Sequence, residues 1–216
     1  MKAKLCGMRT VDAALAAEAA GASYVGFVFW AKSRRSVTPD VAASICSHLT
    51  RVKKVGVFVD EDPSRVNEIA KECGLDLVQL HGSESADYAR KIRFPVIRAF
   101  RFNEAFNARD AAAYPADFVL LDNGSRKNPG GTGKRFVWAD AARALDAVPG
   151  LRDRLFVAGG IAPENVAEAL SVFHPYAVDA SGSLEENGVK SIGKINVFMR
   201  AVREANEEAK VFEVRT

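Results

Sequence analysis

Cys6 and Asp122 each close a short apolar run, Lys4-Leu5-Cys6 and Phe118-Val119-Leu120-Leu121-Asp122. A thiol whose pKa is lowered from about 8.5 toward neutrality can act as a general base. A carboxyl group whose pKa is raised by burial can act as a general acid. Both residues also have plainer readings. A lone Cys is commonly a small buried hydrophobe, and an Asp at a strand end commonly caps a turn. Position favours chemistry for Cys6, because Gly7 lets the backbone turn at once where the run ends. For Asp122 the two readings stand level. Cys46 and Cys73 fall on apolar helix faces and are assigned to packing.

Two glycine-bearing segments suit an anion. They are Ala158-Gly159-Gly160-Ile161 and Asp179-Ala180-Ser181-Gly182-Ser183. Glycines permit close backbone approach, and N–H groups exposed at a helix start attract a phosphate. Gly159, Gly160, Ser181, Gly182 and Ser183 are therefore the predicted phosphate cup, against an ordinary reading as turns. Asp179 is counted with the substrate contacts. Lys32-Ser33-Arg34-Arg35 is a basic run of the kind that usually sits in solvent, yet an Arg fork there would grip a carboxylate. His81, in Gln79-Leu80-His81-Gly82, reads as a base, a hydrogen-bond donor or a plain strand end, and the sequence leaves these open. Gly130-Gly131-Thr132-Gly133-Lys134 lacks phosphate-loop spacing. Its glycines Gly130, Gly131 and Gly133 predict a mobile backbone able to close over a ligand.

The elements that must position these residues are legible as an alternation. Eight β-branched or apolar runs are predicted strands: Ala3–Cys6, Tyr24–Phe29, Lys53–Val59, Asp76–Leu80, Val96–Phe100, Phe118–Leu121, Leu155–Ala158 and Ala177–Ala180. Continuous apolar runs suit parallel strands buried on both faces. Helical stretches lie between them. One is Pro63–Cys73, with Val66, Ile69, Ala70 and Cys73 on one face. The last carries Ile195, Phe198, Ala201, Val202 and Ala205. Thr38-Pro39, Asp62-Pro63 and Ala162-Pro163 mark helix starts with proline in first position.

Eight strand-then-helix units predict an α/β single-domain (β/α)₈ TIM barrel over residues 1–209. Residues 210–216 are an expected loose C-terminal tail. The stretch from Asp122 to Phe136 has no periodicity, and connections of that length are often functional. Following strand six, it belongs to the C-terminal face, where this fold builds active sites.

Composition narrows the classes. The chain has 216 residues, 48% of them apolar, enough for one sizeable core. Net charge is +3 with the basic residues dispersed, which argues against a nucleic-acid partner. Three cysteines make no disulfide framework and no zinc spacing. A reducing compartment follows, and a cytoplasmic protein is expected. The Ala-rich stretch from Val11 to Ala22 is interrupted by Asp12 and Glu18, and no membrane span is predicted.

Taken in order, the motifs resemble those of the phosphoribosylanthranilate isomerase family. Lys4-Leu5-Cys6-Gly7-Met8 is similar to its opening K-[IV]-C-G-[IML]. Gly26-Phe27-Val28-Phe29 followed by Lys32-Ser33-Arg34-Arg35 resembles its G-F-x-F-x-x-K-S-x-R segment. Val55–Val59, Val78–Gly82, Leu120–Asp122, Gly130–Lys134 and Ala158–Gly160 also match in order, and the likeness runs from Lys4 to about Phe198.

The resemblance implies an Amadori rearrangement of N-(5-phosphoribosyl)anthranilate in tryptophan biosynthesis, with no metal or organic cofactor. It implies Cys6 as general base, Asp122 as general acid and Arg35 as holder of the anthranilate carboxylate. The implied partner is a phosphorylated amino-sugar, bound by a monomer or homodimer.

Some positions depart from the family pattern. After strand eight the family has D-V-S-S-G-V-E, and here Asp179-Ala180-Ser181-Gly182-Ser183-Leu184-Glu185 exchanges Ser and Gly. Arg135 and Val137 replace the usual Thr and Asp, and Ser36 replaces a common aromatic. Two rivals are weighed. The histidine-pathway phosphoribosyl isomerase carries Asp where Cys6 stands and shows a half-length repeat that is absent here. A non-catalytic phosphosugar-binding barrel would keep Cys6 and Asp122 only by coincidence.

Overall fold

The structure, a computed structural model, describes residues 1–103, 105–122 and 138–213. Eight parallel strands close into a barrel in sequence order, as the alternation predicts. They are β1 (Lys2–Cys6), β2 (Tyr24–Val28), β3 (Lys53–Phe58), β4 (Leu77–Leu80), β5 (Val96–Arg101), β6 (Phe118–Asp122), β7 (Leu155–Ala158) and β8 (Ala177–Ala180). The helices are α1 (Val11–Ala19), α2 (Pro39–Cys46), α3 (Pro63–Glu72), α4 (Ala86–Ala89), α5 (Ala108–Ala113), α6 (Trp138–Asp146), α7 (Val166–Phe173) and α8 (Ile192–Glu213). A small hairpin, β9 (Glu185–Glu186) and β10 (Val189–Lys190), precedes α8. The expected boundary at residue 209 falls inside α8, and residues 214–216 lie outside the described residues.

Local chemistry sets the helix starts. The first N–H groups of a helix lack an internal acceptor, and a short polar side chain supplies one. Thr38 caps α2 and Asp62 caps α3, each followed by proline as predicted. Thr10, Ser85 and Asn107 cap α1, α4 and α5 in the same way. The predicted start at Ala162-Pro163 is corrected, since α7 begins at Val166. Asn165 sits at φ −132°, ψ 0° and breaks the helical run. Its Oδ1 accepts from Ala162 N at 2.9 Å, and its Nδ2 donates to Gly160 O at 3.0 Å. Pro163 therefore lies in a turn that precedes the helix.

The core has two layers. Between barrel and helices lie Leu5, Phe27, Phe58, Val78, Leu121, Phe198 and their neighbours, with Cys46 and Cys73 buried among them. Inside the barrel lie Tyr24, Val55, Ile97, Leu120, Phe156 and Ala177. Tyr24 and Phe118 meet Phe156 edge-on, filling the N-terminal end with rings. Burying one such ring contributes roughly 1.5–3 kcal/mol. Among the described residues no helix is long and apolar enough to cross a membrane.

A carboxylate on α1 ties that helix to the turn that leads into β3. Glu18 Oε1 accepts the backbone N–H groups of Thr50, Arg51 and Val52 at 2.9, 2.7 and 3.1 Å. These bonds, with Arg51 foremost, hold its carboxyl group below the usual value. A carboxylate depressed in the folded state adds stability above its unfolded pKa, and that stability is lost as pH falls through the folded value. Glu18→Gln should cost about 1 kcal/mol at pH 7 in urea unfolding. The gap should close on acidification, and an equal gap at pH 3 and pH 7 would refute this account.

Candidate active site

Strand parity selects the site. Side chains alternate across a strand, so Lys4 and Cys6 share the barrel-facing side of β1 while Ala3 and Leu5 pack outward. The same parity turns Gln79 and then His81 inward at the end of β4, Asp122 at the end of β6, and Asp179 on β8. Polar and ionisable groups thus converge on the C-terminal mouth above an apolar, aromatic floor. That is where this fold places reacting groups.

Cys6 is 8% exposed and pairs across the sheet with Gly26. A Cβ at Gly26 would sit 2.6 Å from Cys6 Sγ, so the thiol occupies room that only glycine leaves. Beneath it Lys4 is fully buried, and its Nζ lies 3.0 Å from both carboxylate oxygens of Asp179. Burial works against the Lys4 charge, but Asp179 and Cys6 outweigh it and raise the ammonium pKa. The sequence leaves the direction of the Cys6 shift open, and the structure gives it. Burial pushes the Cys6 thiol up, more than the charges of Lys4 and Lys190 pull it down.

Asp122 and His81 face each other at the mouth. His81 Nε2 lies 3.5 Å from Asp122 Oδ2, and their side chains are 27% and 28% exposed, open to an entering ligand. Gln79 Nε2 donates to His81 Nδ1 at 2.8 Å. In the neutral ring the proton then sits on Nε2, directed at Asp122. His81 and Asp122 also act electrostatically on Asp179, which links this pair to the Lys4 and Cys6 side of the mouth.

Behind His81 a buried network fixes the strand end. Arg98 donates to the carbonyls on either side of it, Leu80 O at 3.3 Å and Gly82 O at 3.0 Å, and pairs with Glu84. Glu84 in turn accepts from Asp60 N and Gly82 N. His81 is thereby held on a rigid loop rather than on a free strand end.

Arg35 arrives from the β2–α2 connection and crosses close to Gly7. A Cβ there would sit 2.7 Å from Arg35 Cδ, and Gly7 has φ +83° besides. The Arg35 guanidinium is already engaged, with Nε and Nη2 both on the carboxylate of Glu185. The loops after β7 and β8 lie side by side, joined by Ser183 Oγ donating to Ile161 O at 2.7 Å. Gly159 and Gly160 have φ +83° and +87°, a conformation that suits glycine. Ser181 Oγ donates to Cys6 O at 3.0 Å, which docks the second loop on the end of β1. Gly182 begins a 3-10 turn through Leu184. The hydroxyls of Ser181 and Ser183 are thus committed to backbone carbonyls.

The structure therefore brings Cys6, Arg35, Ser181 and Gly182 together on one side, and His81 with Asp122 on the other. Asp179 lies between them, and Gly159, Gly160 and Ser183 form the adjoining loop pair. Gly130, Gly131 and Gly133 lie outside the described residues. Sequence reasoning passed over Lys4, Gln79, Glu185 and Lys190. Lys4 and Gln79 carried a signal, each being a polar residue two before a singled-out residue inside an apolar run. Among the described residues no three His, Cys, Asp or Glu side chains gather as a metal site requires.

The family model for N-(5'-phosphoribosyl)anthranilate isomerase matches residues 3–201. A curated relative, the N-(5'-phosphoribosyl)anthranilate isomerase of Trichlorobacter lovleyi, is 42% identical over 95% of this chain and 99% of its own. The phosphoribosyl anthranilate isomerase of Thermus thermophilus superposes with a TM-score of 0.82 at 38% identity, covering 94% of this chain and 99% of its own. A third such isomerase was solved in complex with reduced 1-(o-carboxyphenylamino)-1-deoxyribulose 5-phosphate. It has a TM-score of 0.78 at 34% identity and covers 94% of this chain and 99% of its own. The chain belongs to the N-(5'-phosphoribosyl)anthranilate isomerase family.

Proposed function

We propose that this enzyme converts N-(5'-phosphoribosyl)anthranilate to 1-(2-carboxyphenylamino)-1-deoxyribulose 5-phosphate with Cys6 as base and Asp122 as acid, a step of tryptophan biosynthesis. The observation that carries the reading is the shared inward parity of the two residues, one thiol and one carboxyl group at the ends of β1 and β6.

In this scheme Asp122 gives a proton to the furanose ring oxygen, the C1′–O bond breaks, and the nitrogen lone pair forms an iminium. That cation acidifies the hydrogen on C2′, which the Cys6 thiolate removes to leave an enolamine. The enolamine takes a proton at C1′ and loses one from the 2′-hydroxyl, giving the ketone. Positioned acid and base groups contribute typically 10²–10⁴-fold each. Holding a tethered substrate contributes more. His81, directed at Asp122, orients that carboxyl group. Asp179 contacts the sugar from between the two sides. Lys4 and Lys190 favour the thiolate that the base requires.

Gly159, Gly160, Ser181, Gly182 and Ser183 form the phosphate site in this reading. With two hydroxyls spent on carbonyls, its donors are backbone N–H groups, as suits a dianion at the start of a helical turn. Arg35 holds the anthranilate carboxylate. The enzyme works in the cytoplasm as a monomer or homodimer.

The test generates the labile substrate in situ and follows its loss of fluorescence. Cys6→Ser and Asp122→Asn should each lower kcat by about 10²–10⁴-fold. Inorganic phosphate should bind both variants as it binds the parent enzyme. Undiminished turnover in either variant would refute its assigned role.

A further inference from the structure

The hairpin of β9 and β10 borders the mouth, and its two charged ends are buried. Glu185 is 7% exposed at its side chain, yet it receives charge from three residues. Arg35 reaches it with Nε and with Nη2, the latter at 3.0 Å. Arg34 Nη2 lies 2.5 Å away and Lys190 Nζ 2.9 Å. Burial alone pushes the Glu185 carboxyl group up. The hydrogen bonds from Arg35 and Lys190 outweigh it and bring it down to about 2, so the group is ionised at neutral pH.

Lys190 reaches beyond Glu185. Its Nζ also donates to Ser181 O at 2.9 Å and lies 3.3 Å from Ser181 Oγ, the hydroxyl docked on Cys6 O. Glu185 and Lys190 therefore join Arg35 to the loop that carries Ser181. The turn between them, Asn187-Gly188, is pinned from outside by Arg9 Nη2 donating to Gly188 O at 2.8 Å.

A guanidinium offers a carboxylate two bidentate edges, the side edge of Nε and Nη2 and the end edge of Nη1 and Nη2. Glu185 occupies the side edge. Its grip suppresses the rotamer freedom that a long Arg side chain would otherwise lose on binding. On the end edge, Nη1 makes no hydrogen bond among the described residues.

We infer that Glu185 is a positioning residue for substrate recognition: it clamps the side edge of Arg35 so that the end edge selects a substrate bearing an aryl carboxylate, with Lys190 locking the clamp to the Ser181 loop. This rests on the reading that Arg35 holds the anthranilate carboxylate. Glu185 does not touch the reacting atoms. Its effect is on discrimination between ligands, which a merely structural role would leave unchanged.

The experiment compares two probes by calorimetry. One is reduced 1-(o-carboxyphenylamino)-1-deoxyribulose 5-phosphate, and the other is the same molecule with phenylamino in place of carboxyphenylamino. The parent enzyme should prefer the carboxylated probe by at least about tenfold, as a charge-assisted pair implies. In Glu185→Gln that preference should fall below about threefold, with the phenylamino probe bound as in the parent. Lys190→Met leaves the Glu185 carboxylate in place and should lose only part of the preference. Equal binding of both probes by the parent would overturn the Arg35 reading itself. A parental preference that survives intact in both variants would overturn the inference about Glu185 and leave the Arg35 reading standing.

Discussion

Lys4 and Asp179 meet inside the barrel where its first and last strands join. They occupy paired positions of β1 and β8, so the contact sits at the seam that closes the sheet. Neither charge is reachable by bulk water in any useful measure, with side chains 0% and 9% exposed. Two such charges are tolerable only together, and removing one partner of a buried pair typically costs about 3–5 kcal/mol. A hydrophobic pair of similar volume could close the seam as well. The reason to bury an ammonium here is what stands above it, the thiol of Cys6.

The electrostatics of the mouth follow from that placement. Burial raises the pKa of the Cys6 thiol, and two buried ammoniums, Lys4 and Lys190, oppose that tendency. Each ammonium is itself balanced by a carboxylate, Asp179 in one case and Glu185 in the other. The far side of the mouth is built differently. Asp122 and His81 are partly exposed, and Gln79 fixes which imidazole nitrogen faces the carboxyl group. In the proposed scheme, a buried thiol and an accessible carboxyl group suit a reaction that protonates a ring oxygen and then removes a hydrogen from carbon.

Much of this architecture was legible in the residues. The eight strands were readable because parallel strands buried on both faces leave uninterrupted apolar runs, such as Phe118–Leu121 and Leu155–Ala158. Cys6 and Asp122 stood out because each ends such a run. Thr38 and Asp62 announced helices because capping is a local interaction. The start of α7 was misread because the side chain of Asn165 rebuilt the turn after Pro163. The direction of the Cys6 shift was not legible, because burial depends on neighbours far away in sequence. Glu185 was quoted only as the last letter of a motif. Its partners Arg34 and Arg35 lie about 150 positions away, a distance that no periodicity spans.

The central claim is that the buried Lys4 ammonium favours the ionised form of Cys6. It is tested most directly by titrating the Cys6 thiolate through its ultraviolet absorbance, with Cys46 and Cys73 replaced by Ala, in the presence and absence of Lys4→Met. In the Lys4-containing enzyme the thiol should titrate above the ordinary cysteine range, as burial dictates. In Lys4→Met the midpoint should move higher still. A midpoint that stays put or falls would show that Lys4 serves the seam of the barrel and not the thiol above it.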